Sequence, residues 1–169
     1  NCYKILAGEW ADLIYDAGKG NRTEADWAVI DVGDDSIVRT LEHIFAKGNC
    51  EEAFGLPAEE LLVVTPLNVG EHGRVALNRV IQAAYHTTRG KVAPKYKEFT
   101  KGYDQFVPGD RVIWTKNDKL LGLVNGDVGT VVSVLDQEVR VEWDGIGAKA
   151  VKAGGTLQLA WVLTCHKAQ

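Results

Sequence analysis

The sequence predicts an α/β domain interrupted by a small β-barrel, and three observations predict it. First, Leu61–Thr65 reads LLVVT, and continuous rather than alternating apolarity suits a parallel strand covered on both faces. Second, a Gly-containing loop, Asn68–Gly73, leads from that run into the helix Arg74–Tyr85, forming a β–α unit. Third, Phe106–Val134 opens with a Pro-Gly turn, runs into the alternating strand Arg111–Lys116, crosses a polar Asn117-Asp118-Lys119 corner and turns at Asn125-Gly126 into a second apolar strand. An Asn-Gly pair between apolar runs signals a hairpin, because both residues tolerate positive φ. In a third strand, Glu138–Trp143, Val139, Val141 and Trp143 share one face and Glu138, Arg140 and Glu142 the other. Three such strands within about forty residues read as a small barrel, and a barrel this small needs a larger neighbour to bury its open side. The segments on either side read as α/β. The expected organisation is therefore a host domain begun by residues 1–105, an inserted barrel over 106–155, and a return to the host over 156–169.

Composition bounds the function. A length of 169 residues allows one domain with a small insert, and 46% apolar with 25% charged residues is ordinary for a chain with a real core. No apolar run approaches the roughly eighteen residues of a membrane span, and no signal peptide opens the chain. Cys2, Cys50 and Cys165 are odd in number and far apart, which argues against a disulfide framework or a zinc site and for a reducing cytoplasm. With a net charge of −4, any nucleic-acid contact must come from a local patch. The chain has no methionine and its last residues stop inside a pattern, so it reads as a piece of a longer protein.

The elements follow in order. Leu6, Trp10, Leu13, Ile14 and Ala17 recur at helical spacing. Asp16–Thr23 holds Gly18, Lys19 and Thr23, the residue types of a phosphate loop, but Gly20 and Asn21 follow the lysine where Ser or Thr should stand. It reads as a solvated loop. Trp27–Val32 is a compact apolar run, read as a buried strand. Asp34 or Asp35 can cap the next helix, where Ile37, Leu41, Ile44 and Phe45 line one face and Lys47-Gly48 closes it. His43 beside that stripe reads as a surface or packing histidine.

In the helix Arg74–Tyr85, Leu77, Val80, Ile81 and Ala84 form the expected buried stripe, with Arg74, Asn78 and Gln82 on the polar side. Its start reads either as an anion site or as a plain β–α turn. Arg89–Tyr103 interleaves Arg89, Lys91, Lys95, Lys97 and Lys101 with Tyr96, Phe99 and Tyr103, a mixture that suits single-stranded nucleic acid or a solvated linker. Gly145–Gly155 reads as a loop. Leu157–Val162 leads into Thr164-Cys165-His166-Lys167-Ala168-Gln169, where Cys165 has no orienting acid and is no nucleophile.

Read together, VVTPLNVGEHGRVALNRVIQ (Val63–Gln82), the Phe106–Val132 stretch and LQLAWVLTCHKAQ (Leu157–Gln169) resemble the RecD-like branch of superfamily-one DNA helicases, whose members include the alpha subunit of exodeoxyribonuclease V. Their order resembles that of the second RecA-like motor lobe, of P-loop NTPase type, with its inserted Src-homology-3-like β-barrel. The resemblance spans roughly Trp27–Gln169.

The resemblance implies site residues. Thr65 would meet the DNA backbone. Asn68, Gly73, Arg74 and Asn78 would lie near the nucleic-acid track. Thr164, His166 and Lys167 would touch single-stranded DNA, with Gln169 coupling it to the nucleotide site. By position alone, Lys116, Asn117 and Trp114 of the barrel join them. The family's phosphate loop, Asp-Glu magnesium motif and glutamine motif belong to a first motor lobe and are missing here. The implied parent is an ATP- and magnesium-dependent helicase active in DNA repair and recombination. This piece would have no catalytic or metal-binding residue and bind no nucleotide alone. Its partners would be single-stranded DNA, the first motor lobe of the same polypeptide and, in the exonuclease, other subunits, with no membrane. The motor lobe of a conjugative relaxase-helicase and a stand-alone nucleic-acid-binding module are the alternatives.

Overall fold

The computed structural model describes residues 34–91 and 105–165. The expected helix around Leu6–Ala17, the Asp16–Thr23 loop, the Trp27–Val32 strand, most of the basic-aromatic strip, and His166, Lys167 and Gln169 lie outside the described residues. Apart from the start of the first helix, the described residues belong to one compact unit, Ile37–Gln169.

Helix α1 (Asp34–Phe45) packs Val38, Leu41 and Ile44 against the core and buries Phe45 completely. A short helix, α2 (Asn49–Phe54), follows where the sequence carried no periodic signal. Strand β1 (Val63–Thr65) then leads to α3 (Arg74–Thr88). Beyond it come β2 (Arg111–Trp114), β3 (Val128–Leu135), β4 (Glu138–Trp143), β5 (Gly147–Lys152), β6 (Leu157–Leu159) and β7 (Val162–Thr164).

Two sheets result. β1 and β7 form a parallel pair, and the other strands form an antiparallel sheet in the order β5-β4-β3-β2-β6. The parallel pair joins segments separated by the whole antiparallel sheet. A mixed α/β fold is thus present, with the antiparallel sheet between the two partners of the parallel one.

Several expectations are corrected. β5 and β6 end the strand order on opposite sides, so among the described residues the sheet is open, whereas a closed barrel requires first and last strands to pair. The Gly145–Gly155 loop region contains β5, which pairs with β4 from Glu138↔Lys152 to Trp143↔Gly147. The sheet also runs past residue 155, since β6 pairs with β2 from Val112↔Leu159 to Trp114↔Leu157.

Asn125-Gly126 is not the tip of its hairpin. Asp118 and Leu123 form a bridge further out, and Asn125 does not share the positive φ of Gly126 (107°). With Asp127 N–H donating to the Val124 carbonyl, this is a turn that needs Gly only at its third position. β1 is not covered on both faces either, because Leu62 and Val64 stand about half exposed.

The core is continuous between the two sheets. Trp161, fully buried, stacks at a tilt on Tyr85 with centroids 4.6 Å apart and meets Phe45 edge-on at 6.0 Å. In the antiparallel sheet Trp114 meets Trp143 edge-on at 6.2 Å. Val139, Val141 and Trp143 are buried while Glu138, Arg140 and Glu142 are exposed, the alternation the sequence predicts. Each fully buried side chain of this size contributes about 1.5–3 kcal/mol. Trp161 therefore anchors the crossing from β6 to β7.

Candidate nucleic-acid interface

Parallel pairing sets Thr65 of β1 directly beside Thr164 of β7, at the C-terminal ends of both strands. This brings together two residues the resemblance singles out, 99 positions apart by their numbers (164 less 65). Both are largely buried. The Thr65 hydroxyl donates to the His72 carbonyl at 3.0 Å and accepts the Leu67 N–H at 3.3 Å, so it ties the following loop to the strand end. The exposed Cys165 thiol lies 3.8 Å from the Thr65 carbonyl.

The loop from Leu67 to Gly73 is folded onto the start of α3. Gly73 N–H donates to the Gly70 carbonyl, Arg74 N–H to Leu67 at 2.8 Å, and Val75 N–H to Asn68 at 3.4 Å. These are N–H groups that a helix start ordinarily offers to an anion, and here loop carbonyls take them. The plain-turn reading fits this helix start better than the anion site. Gly73 is needed for close approach, because a Cβ there would lie 2.5 Å from the carbonyl carbon and oxygen of Val69. What remains outward at this rim is side-chain chemistry. Asn68 is exposed, with its Oδ1 accepting from Arg74 Nε at 3.4 Å, and Arg74 is half-buried. Val69 is 78% exposed.

Other predicted residues fall elsewhere. Asn78 is only 2% exposed, and its amide closes a two-way bond with the Val162 backbone: Nδ2 donates to the carbonyl at 2.8 Å and Oδ1 accepts the N–H at 3.1 Å. It faces β7, not a ligand, which corrects its place among the DNA-contacting residues. Trp114 is buried against Trp143 and offers no ring face to a base. Lys116 and Asn117 are exposed on the loop after β2, where Asn117 Oδ1 accepts the Asn125 N–H at 2.8 Å.

From the basic strip, the described Arg89 and Lys91 serve the fold. The Arg89 guanidinium lies 3.8 Å over the Tyr85 ring and donates to the Phe45 and Tyr85 carbonyls, while Lys91 Nζ donates to the Pro108 carbonyl at 3.0 Å.

The polar side of α3 reverses the expectation most fully. Asn78, Gln82 and His86 are all buried, beside the apolar stripe Leu77, Ile81 and Tyr85. Gln82 Nε2 donates to Asp110 Oδ2 at 2.5 Å and to the Gln105 carbonyl at 2.9 Å, and His86 Nε2 lies 2.7 Å from Asp110 Oδ1. The Val107 N–H also donates to Asp110 Oδ2 at 2.7 Å. A His-Asp pair can serve catalysis, but this one is sealed from solvent and touches no nucleophile among the described residues. Its chemistry is structural.

Nearby, burial and then the Glu59 carboxylate push the Tyr85 phenol well above its ordinary pKa, and burial pushes the Cys50 thiol up. Among the described residues no group of three His, Cys, Asp or Glu could hold a metal ion, and no helix is long and apolar enough to cross a membrane.

No protein-family model matches the chain. The chain is 33% identical over 111 residues to the ATP-dependent RecD2 DNA helicase of Deinococcus radiodurans, covering 63% of this chain but 14% of that protein. Among solved structures it overlaps Bacteroides Pif1 bound to single-stranded DNA at 26% identity and a TM-score of 0.34, over 44% of this chain and 24% of that one. It also overlaps Bacteroides Pif1 helicase in complex with ADP-AlF3 and single-stranded DNA at 19% identity and a TM-score of 0.44, over 82% and 37%. Scores this low leave the two structures without weight. The sequence match carries the resemblance to superfamily-one DNA helicases.

Proposed function

We propose that this chain is a portion of the second, RecA-like motor lobe of a RecD-like superfamily-one DNA helicase, and that it contributes single-stranded DNA binding to the parent enzyme. The observation that supports this best is the Thr65–Thr164 pairing. Two strand ends from opposite flanks of the antiparallel sheet meet in register, as an insert between parallel strands of one lobe requires. In this reading the antiparallel sheet is the Src-homology-3-like insert, its last strand is β6, and the lobe resumes at β7. Thr65, Asn68, Arg74 and Thr164 form one part of the DNA track. His166 and Lys167 extend it, Gln169 signals to the nucleotide site, and Lys116 and Asn117 offer a second contact on the insert.

ATP and magnesium belong to the first motor lobe of the parent. An exodeoxyribonuclease V assembly, a role in DNA repair and a cytoplasmic setting follow from the same reading. The test is anisotropy of a labelled oligothymidylate titrated with the full chain at three salt concentrations. Binding should weaken steeply with salt, and Arg74→Ala should lower affinity and reduce the salt slope by about 0.7, the value of one lost phosphate contact on a single strand. Binding that ignores salt, or an unchanged slope in Arg74→Ala, refutes the track.

A further inference from the structure

The polar stripe of α3 touches both sheets. At one end Asn78 grips the Val162 backbone of β7, two positions before Thr164. One turn on, Gln82 holds Asp110 Oδ2 and the Gln105 carbonyl, and a turn further His86 holds Asp110 Oδ1. Asp110 stands immediately before β2, and its backbone is tied to β3, since Val131 N–H donates to the Asp110 carbonyl at 2.9 Å. The chain also passes directly from β6 to β7 through Ala160 and Trp161, with Ala160 N–H donating to the Arg111 carbonyl at 2.8 Å. Packing of Trp161 holds this crossing in place. The tie across the helix adds directional bonds that fix its angle.

We propose that α3 is a positioning rod: Asn78 sets the strand end carrying Thr164, while Gln82 and His86 lock that setting to the antiparallel sheet through Asp110. Asn78, Gln82, His86 and Asp110 are positioning residues that touch no ligand. Apolar side chains would bury as well but would fix neither strand register nor sheet angle, whereas directional bonds to backbone atoms and to one carboxylate fix both. The inference rests on the DNA reading of the Thr65–Thr164 rim for its functional meaning, and not for its mechanical content.

The test compares Asp110→Asn with Val139→Ala in the full chain. Val139 is buried in β4 and has no part in the stripe. Amide exchange at Val162, whose N–H is held by Asn78, is measured at temperatures where both variants have equal global stability. In Asp110→Asn it should be faster on the order of tenfold, the scale of losing one buried hydrogen-bond partner. Oligothymidylate affinity should fall more in Asp110→Asn than in Val139→Ala. Equal exchange in the two variants overturns the rod. If Asp110→Asn does not fold, Gln82→Met removes one arm of the network and is read the same way. His86→Gln, whose amide can still donate towards Asp110, should retain most of the protection at Val162. Absence of DNA binding in every form, the unmutated chain included, defeats the functional reading while the exchange comparison still decides the rod.

Discussion

His86 and Asp110 face each other at 2.7 Å with both side chains fully buried, one from the last turn of α3 and the other from the turn that opens β2. Three donors, from Gln82, His86 and the Val107 backbone, converge on the one carboxylate. Sealed polar groups are costly to strand, so the stability of the unit should concentrate here.

Asp110→Ala removes the shared acceptor and leaves those donors buried without it. The expected loss is about 3 kcal/mol in urea unfolding, since each buried donor left without a partner costs about 1–3 kcal/mol. Asp110→Asn retains an acceptor oxygen and should lose clearly less. A loss below about 1 kcal/mol for Asp110→Ala, the scale of an ordinary exposed pair, would mean that the network relaxes onto solvent.

Tyr85 gives a dependence on pH. Its phenol donates to the Glu59 carboxylate, and its folded pKa is raised first by burial and then by that bond. A raised folded pKa means that the contribution is full below the unfolded value of about 10 and is lost as pH rises through the folded one. The unmutated chain should therefore lose stability above about pH 10 more steeply than Tyr85→Phe. At neutral pH Tyr85→Phe should cost about 1.5–3 kcal/mol, the range for a hydrogen bond to a charged group. Parallel pH profiles for the two proteins would assign the alkaline loss to other groups.

How much of this was legible in the sequence depends on what each pattern can encode. LLVVT read as a parallel strand, and β1 is one, though its partner β7 lies beyond the antiparallel sheet and that pairing was not readable from the sequence. The alternation in Glu138–Trp143 read correctly because burial on one face is a local, two-residue pattern. β5 could not be read: Gly147, Ala148 and Ala150 have little strand preference, and pairing with β4 imposes the conformation. The polar face of α3 misled for a related reason. Arg74, Asn78 and Gln82 at four-residue spacing read as a wet face, since Val162 and Asp110, the partners of Asn78 and Gln82, are distant in sequence. An amide, an amide and an imidazole beside Leu77, Ile81 and Tyr85 were the available signal: a stripe without a single full charge.

Gly73 tests the loop that shapes the rim. A Cβ there would overlap the backbone of Val69, which no side-chain movement can relieve. Gly73→Ala should cost about 1–3 kcal/mol, the range for overpacking, by shifting the Leu67–Gly73 loop. It should also disturb the Arg74 N–H bond to Leu67, visible as faster amide exchange at Arg74. Unchanged stability and exchange would show that the loop rearranges freely.

The last expectation separates lysines that bind from lysines that build. Lys91 Nζ donates to the Pro108 carbonyl, which holds it against the segment before β2. Lys116 is exposed on the loop after β2, where its ammonium can meet a phosphate in the proposed track. Lys167 follows Thr164 in the motif that resembles a single-strand contact. Lys19 belongs to the Asp16–Thr23 stretch, whose residue spacing fails as a phosphate cradle. Lys167→Ala and Lys116→Ala should each reduce the salt slope of oligothymidylate binding by about 0.7 and lower affinity at low salt. Lys19→Ala and Lys91→Ala should leave the slope unchanged, although Lys91→Ala can lower stability. If the slope falls in Lys19→Ala or Lys91→Ala but holds in Lys167→Ala, the single strand runs over a different face, and the Thr65–Thr164 pairing is a structural joint alone.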